Sequence, residues 1–186
     1  MKTNEIPERL SALRQFMHEK NLDAFIIPTT DAHMSEYPPR YWESRKWISG
    51  FTGSAGTAVV TREQAGVWTD SRYFLQAADE LADTGFELFK MGQADTPDMI
   101  DWIMAQVGKG GTVGIDGLVY AASDAIALKN KLDAKGIRLE TAFDPFSEIR
   151  DDRPELPKNK AFILPDDIAG ESVKSKIARI NAELKK

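Results

Sequence analysis

The chain has 186 residues, 42% of them hydrophobic, with a formal charge of -5 and a pI near 5.2; that length suits one compact domain plus extra material, able to bury roughly 70% of its unfolded surface. Acidic and basic residues are interspersed, so no basic face is available to neutralise phosphates and nucleic acid is not an expected partner. Zero cysteines exclude disulfides, thiolate metal sites and thiol nucleophiles and fit a reducing compartment. No apolar run approaches the roughly 18 residues that span a bilayer, and Met1-Lys2-Thr3-Asn4-Glu5 lacks a signal peptide's apolar core, so the expected location is the cytoplasm, away from membranes.

Ile6, Leu10, Leu13 and Met17 recur at helical spacing with Pro7 in a first-turn position, which predicts an amphipathic helix from about 5 to 20. Ala24–Ile27 reads as a buried strand. Thr57–Thr61 and Gly66–Thr69 are β-prone runs separated by Arg62-Glu63-Gln64, which predicts an antiparallel hairpin with a polar turn. Tyr73–Leu81 reads as helix and Phe86–Met91 as strand. Thr96-Pro97 suits a cap and first turn for a helix presenting Ile100, Ile103, Met104 and Val107, ended by Gly108, Gly110 and Gly111. Thr112–Asp116 is a strand, Ser123–Lys135 a helix stopped by Gly136, and Ile137–Thr141 a last strand. Alternating helices and strands favour parallel pairing, and the inserted hairpin requires an antiparallel pair. The expected fold is therefore α/β, a mixed, mainly parallel sheet with helices on both faces.

Composition changes after Phe143. Four of the nine prolines, Pro145, Pro154, Pro157 and Pro165, fall beside Glu148, Arg150, Asp151, Asp152 and Arg153, which reads as a stiff connector. Beyond Phe162-Ile163-Leu164, the segment Ser172–Lys186 carries Val173, Ile177, Ile180 and Leu184 as a helical stripe. Such a stripe either opens a second domain or folds back onto the first. The expected organisation is a domain over 1–143, a connector over 144–160, and the truncated start of a second similar domain over 161–186.

The polar cluster Asp31-Ala32-His33-Met34-Ser35-Glu36-Tyr37, the run Gly50-Phe51-Thr52-Gly53-Ser54-Ala55-Gly56 and the stretch Trp68-Thr69-Asp70-Ser71-Arg72-Tyr73-Phe74 concentrate loop chemistry between apolar strands. Asp31, His33 and Glu36 are possible metal ligands, but their spacing fits no metal motif, and a loop that shapes its own turn is the favoured reading. The glycines lack the dinucleotide and P-loop spacings and lead into a strand, so close backbone approach explains them better than phosphate binding. Ser54 lacks the nucleophile-elbow context. Arg72 has the planar fork for a carboxylate, with Asp70 in reach; on the residues alone, a structural pair is favoured over ligand binding. Tyr37, Trp42, Trp47 and Phe51 supply aromatic surface, with Trp47 and Phe51 assigned to core packing.

Taken together, Ile26-Ile27-Pro28 leading to Asp31–Tyr37, Ser49–Ala58, and Trp68–Phe74 closely resemble the creatinase/prolidase-type N-terminal domain of the three-domain cytosolic Xaa-Pro aminopeptidases. The likeness continues through Lys90-Met91-Gly92 and Asp95-Thr96-Pro97 to Ile149-Arg150-Asp151-Asp152-Arg153-Pro154. The resemblance implies a parent enzyme that removes an N-terminal residue preceding proline, using two manganese ions in a catalytic domain that this sequence lacks, and acting as a homodimer. It implies no catalytic residue, metal ligand or cofactor here, and a domain that helps enclose the active site. Arg72 occupies the position of the family's peptide-binding arginine, with His33, Asp31, Glu36 and Tyr37 as further substrate-binding candidates. The alternative is a metal-free, peptidase-like protein-binding module of the histone-chaperone type.

Overall fold

In the computed structural model, which describes residues 5–185, the run Ala24–Pro28 forms β1 within a six-stranded sheet. Residues 1–4, expected ahead of the first helix, and Lys186, expected to close the last, lie outside the described residues. The hairpin forms as expected: β2 (Thr57–Thr61) and β3 (Ala65–Thr69) pair antiparallel around Arg62–Gln64. With β4 (Glu87–Lys90), β5 (Thr112–Ile115) and β6 (Arg138–Glu140), the strand order is β4-β3-β2-β1-β5-β6. β1 pairs antiparallel with β2 and parallel with β5, while β3–β4 and β5–β6 are parallel. The sheet is mixed and mainly parallel.

Alternation along the strands divides the interior into two cores. Phe25 and Ile27 of β1, with Ala58, Val60 and Val67, face one side. There they meet Leu10, Leu13 and Met17 of α1 (Ile6–Glu19), Trp47 and Ile48 of α2 (Ser44–Ser49), and Ala77 of α3 (Phe74–Glu80). Ala24, Ile26, Val59, Val113 and Ile115 face the other side, against Ile103 of α4 (Met99–Val107) and Leu128 and Leu132 of α5 (Ala122–Asp133). Trp68 and Phe89 on this face stack at 4.0 Å, with Trp102 edge-on to both. Gly66 is required there, because a Cβ would stand 2.4 Å from the Phe89 ring.

Two details differ from the sequence reading. The cap of α4 is Asp98, whose Oδ1 accepts from Ile100 N at 2.9 Å and Asp101 N at 3.2 Å, and not Thr96; Pro97 precedes the cap. A carboxylate satisfies amides at a helix start and complements its dipole, so the better acceptor takes the position. The second detail is that α2, a six-residue helix, stands where no helix was expected.

The first compact unit runs through Leu156, past the expected boundary at 143. Phe146 in α6 (Phe146–Ile149) is buried edge-on against Trp47, with centroids 6.0 Å apart. Arg153 caps the side: its guanidinium lies 3.7 Å from the Tyr41 ring centroid, Nε donates to Tyr41 O at 3.2 Å, and Nη1 pairs with Asp144. The second unit, from Pro157, contains α7 (Asp166–Ala169) and α8 (Val173–Leu184). Ser172 caps α8 by accepting from Ser175 N, and Glu171 pairs with Arg179 at 2.9 Å.

Candidate functional site

The chain leaves β1 through Thr29 and Thr30, whose hydroxyls donate to Gly56 O at 2.7 Å and Val119 O at 2.8 Å. Asp31 follows, and its Oδ1 accepts from His33 N at 2.8 Å and Ser35 N at 3.0 Å. Burial pushes its carboxyl up, but the bonds from Ser35 and His33 and the nearby imidazole outweigh that and hold it below the usual carboxylate range. Asp31 therefore shapes the turn, with Met34 at φ +57°, while His33, Glu36 and Tyr37 stay exposed, Tyr37 by 77%. A carboxyl lowered in the folded state stabilises above its unfolded value, near pH 4, and that contribution is lost as pH falls through the folded value. Asp31→Asn keeps the accepting oxygen and removes the titration. Its unfolding midpoint should thus depend less on pH below about 4 than wild type, as urea titrations at several acidic pH values would read; identical slopes would remove Asp31 from the acid response.

Arg72 stands just after β3. Its Nε and Nη2 grip Asp70 Oδ1 and Oδ2 at 2.9 and 2.8 Å, and its backbone amide donates to the same carboxylate. The Asp70 carboxyl is held low chiefly by the Arg72 side chain, and Arg72 is held above its ordinary value chiefly by the hydrogen bond to Asp70. Glu36 adds a smaller raising effect at Arg72. The Arg72 side chain is 61% exposed, and its Nη1 has no hydrogen-bond partner among the described residues. The pair with Asp70 fixes the fork and leaves one edge to solvent, so the structural and ligand-binding roles are compatible.

The glycine run links α2 to β2. Gly50 ends α2 in the left-handed region at φ +80°, donating to Lys46 O. The run is then fastened at three points. Thr52 donates through its amide and hydroxyl to the Glu80 carboxylate at 2.7 and 2.6 Å, the Ser54 and Tyr73 hydroxyls meet at 2.7 Å, and Thr69 Oγ1 donates to Ala55 O at 2.7 Å.

Beneath it lies Arg45, only 3% exposed, which sequence reasoning did not single out. Nε donates to Thr29 Oγ1 at 2.8 Å, Nη1 to Phe51 O at 2.6 Å and Nη2 to Gly53 O, with the guanidinium 4.6 Å from the Phe51 ring centroid. Burial holds Arg45 down to about 10, against smaller raising effects of Glu80, Glu43 and Tyr73, so it stays charged at neutral pH. One signal was available: Trp47-Ile48-Ser49-Gly50 is an apolar pair followed by a glycine stop, which marks a short helix and puts Arg45 on it.

These elements border a cleft of about 280 Å³ lined by Pro28, Tyr37, Pro38, Trp42 and Thr52–Ser54, with Arg45 and the charged Glu36, Glu43 and Lys46 also in its lining. Of the sequence candidates, Glu36 and Tyr37 line it; Asp31, His33 and Arg72 do not. Among the described residues, no group of three or more His, Cys, Asp or Glu could hold a metal ion.

A three-layer α/β domain with its charged loops and a partly aromatic cleft at the end of β1 is a creatinase/prolidase-type domain. The chain belongs to the Creatinase/Prolidase N-terminal domain family, whose model matches residues 9–151. It is 41% identical over 189 residues to a probable Xaa-Pro aminopeptidase P of Pyricularia oryzae, covering 100% of this chain and 30% of the relative. It is 40% identical over 176 residues to Xaa-Pro aminopeptidase 2 of Rattus norvegicus, covering 94% of this chain and 26% of the relative. The chain thus spans under a third of the length of these relatives and matches their N-terminal domain. Among solved structures, the X-prolyl aminopeptidase of Caenorhabditis elegans, a cytosolic enzyme with a di-nuclear active site, superposes with TM-score 0.83 at 30% identity, over 100% of this chain and 31% of that one. An Xaa-Pro aminopeptidase structure from Streptococcus thermophilus shares the fold, with TM-score 0.57 at 20% identity over 78% of this chain and 98% of that one. No helix among the described residues is long and apolar enough to cross a membrane.

Proposed function

We propose that this chain is the noncatalytic N-terminal domain of a cytoplasmic, homodimeric, metal-dependent Xaa-Pro aminopeptidase, helping to enclose the active site and to bind peptides with proline in second position. The observation that carries this is the match along the whole chain to under a third of the Xaa-Pro aminopeptidase relatives. The two manganese ions this reading requires find no grouped ligand set among the described residues and belong to the catalytic domain of the parent. The purified chain, assayed on an Xaa-Pro peptide with added manganese, should show no turnover above a chelated control; robust turnover would overturn the assignment.

Arg72 is the residue of this face expected to meet peptide, on the strength of its fixed fork and open edge, with the neighbouring Glu36, Tyr37 and His33 as the next candidates. Asp31 serves them by holding their loop. In the parent enzyme Arg72→Ala should raise KM for a peptide substrate while leaving the melting temperature unchanged. Unaltered kinetics would return Arg72 to a purely structural role.

Residues 161–186 are read as the start of a second similar domain. Val173, Ile177, Ile180 and Leu184 of α8 repeat the spacing of Ile6, Leu10, Leu13 and Met17 of α1. In α1 these positions are at most 5% exposed, whereas in α8 they are 66%, 53%, 52% and 80% exposed. The same face, covered in one helix and open in the other, calls for a sheet of the same kind. Amide exchange in α8 should be slow in the parent and fast in this chain.

A further inference from the structure

We propose that the cleft over Arg45 is a subsite for the C-terminal carboxylate of a short peptide, with the apolar side chain beside that carboxylate resting on Tyr37, Pro38 and Trp42. The proposal rests on the peptide-binding reading of this face and deepens it.

Arg45 is the deepest charge in the cleft lining, and its three bonds go to neutral oxygens, those of Thr29, Phe51 and Gly53. No carboxylate lies within ion-pair distance of it among the described residues; Glu80 and Glu43 act on it only through longer-range fields. A cation removed from water and left without a direct counterion casts its field into the nearest open space, where low-dielectric walls screen it poorly. That space is the cleft.

Three of the five N–H groups of the guanidinium are bonded within the protein, so part of the hydrogen bonding to a ligand must come from beside it. The backbone supplies that part: the successive amides of Gly53 and Ser54, both in the cleft lining, donate to no acceptor among the described residues. Adjacent amides without an internal acceptor, next to a buried cation, are donors that an anion in the cleft can use. Of the two carboxylates in the lining, Glu43 is paired with Lys46 at 3.3 Å, while the exposed Glu36 opposes a carboxylate at the surface, so the acid end enters and the remainder of the peptide points outward. A volume near 280 Å³ suits the end of a peptide and excludes a folded partner. The two prolines and two aromatic rings of the wall favour an apolar last side chain over a charged one.

Because Arg45 also holds the loop, the test varies the ligand. The 15N-labelled chain is titrated with Ala-Pro-Leu and, separately, with the same tripeptide carrying a C-terminal amide. The acid should shift the amide signals of Gly53 and Ser54 and the indole of Trp42, with the amide form binding at least tenfold more weakly. Tyr37→Ala, at an exposed position, should weaken binding of the acid while preserving the rest of the spectrum. Equal binding of both forms at these signals would overturn the carboxylate subsite and leave peptide binding intact. Shifts around Arg72 with none in the cleft would overturn the subsite alone, and no shift anywhere would overturn the subsite together with the peptide-binding reading.

Discussion

Replacing Arg45 by alanine is expected to lower the free energy of unfolding by about 3 kcal/mol, the largest loss of any substitution near the cleft. Phe51 O and Gly53 O both accept from this side chain in buried surroundings, and each buried acceptor stranded without a donor costs about 1–3 kcal/mol. The packing of the guanidinium on the fully buried Phe51 ring is lost as well. In a chain of this size such a loss lowers the melting temperature by about 6–12 °C. Arg45→Lys should fall between the two, since a single ammonium on a flexible stem cannot reproduce three bonds fanned from one plane. Urea unfolding of the three proteins reads the order directly. An alanine variant within about 1 kcal/mol of wild type would show that the glycine run holds its shape without this residue.

Gly53→Ala is the second large effect, and it acts by addition instead of removal. A Cβ there would stand 2.4 Å from Phe51 Cζ and 2.7 Å from Tyr73 Cδ1, so at least one ring must move. Neither is free to do so: Phe51 is 0% exposed and packs edge-on against Tyr73 at 5.9 Å, and the Tyr73 hydroxyl is bonded to Ser54. Overpacking of this kind costs about 1–3 kcal/mol. The variant should melt earlier, lose the Ser54–Tyr73 bond, and show displaced ring-proton signals for Phe51 and Tyr73. Wild-type melting with unmoved rings would mean the loop backbone shifts more easily than its three fastenings indicate.

The parts of the fold that the sequence displayed are those whose burial is periodic. Ile6, Leu10, Leu13 and Met17 put one face of a helix into the core, and helical spacing records that in the letters themselves. β1 is similarly plain, because both sides of the strand are covered and every residue from Ala24 to Ile27 is apolar and buried. Helix α2 escaped for the opposite reason. Three of its six residues are Ser44, Arg45 and Ser49, all buried, so polarity there reports internal hydrogen bonding and not contact with water. The boundary at 143 moved for a related reason, since proline and charge after Phe143 resemble a solvated connector while Phe146 and Arg153 are packed against Trp47, Tyr41 and Trp42.

At the site, the letters located the loops and the Arg72–Asp70 pair, because those contacts are local in sequence. The cleft was not legible in the same way. It is made where Pro28, Tyr37, Trp42 and Gly53 converge, and that convergence depends on a buried arginine bonding to carbonyls six and eight residues away. Asp31 illustrates the remaining ambiguity: its position in a loop motif suits a ligand contact, and one of its two carboxylate oxygens already accepts from the loop's own amides.

The outermost strands carry a consequence for self-association. β4 has four residues and β6 three, and each presents charge: Glu87 and Lys90 on one margin, Arg138 and Glu140 on the other. Short, charged margins offer little template for another chain to extend the ladder. Copies of this domain are therefore not expected to grow into ribbons or fibrils by pairing at these two margins.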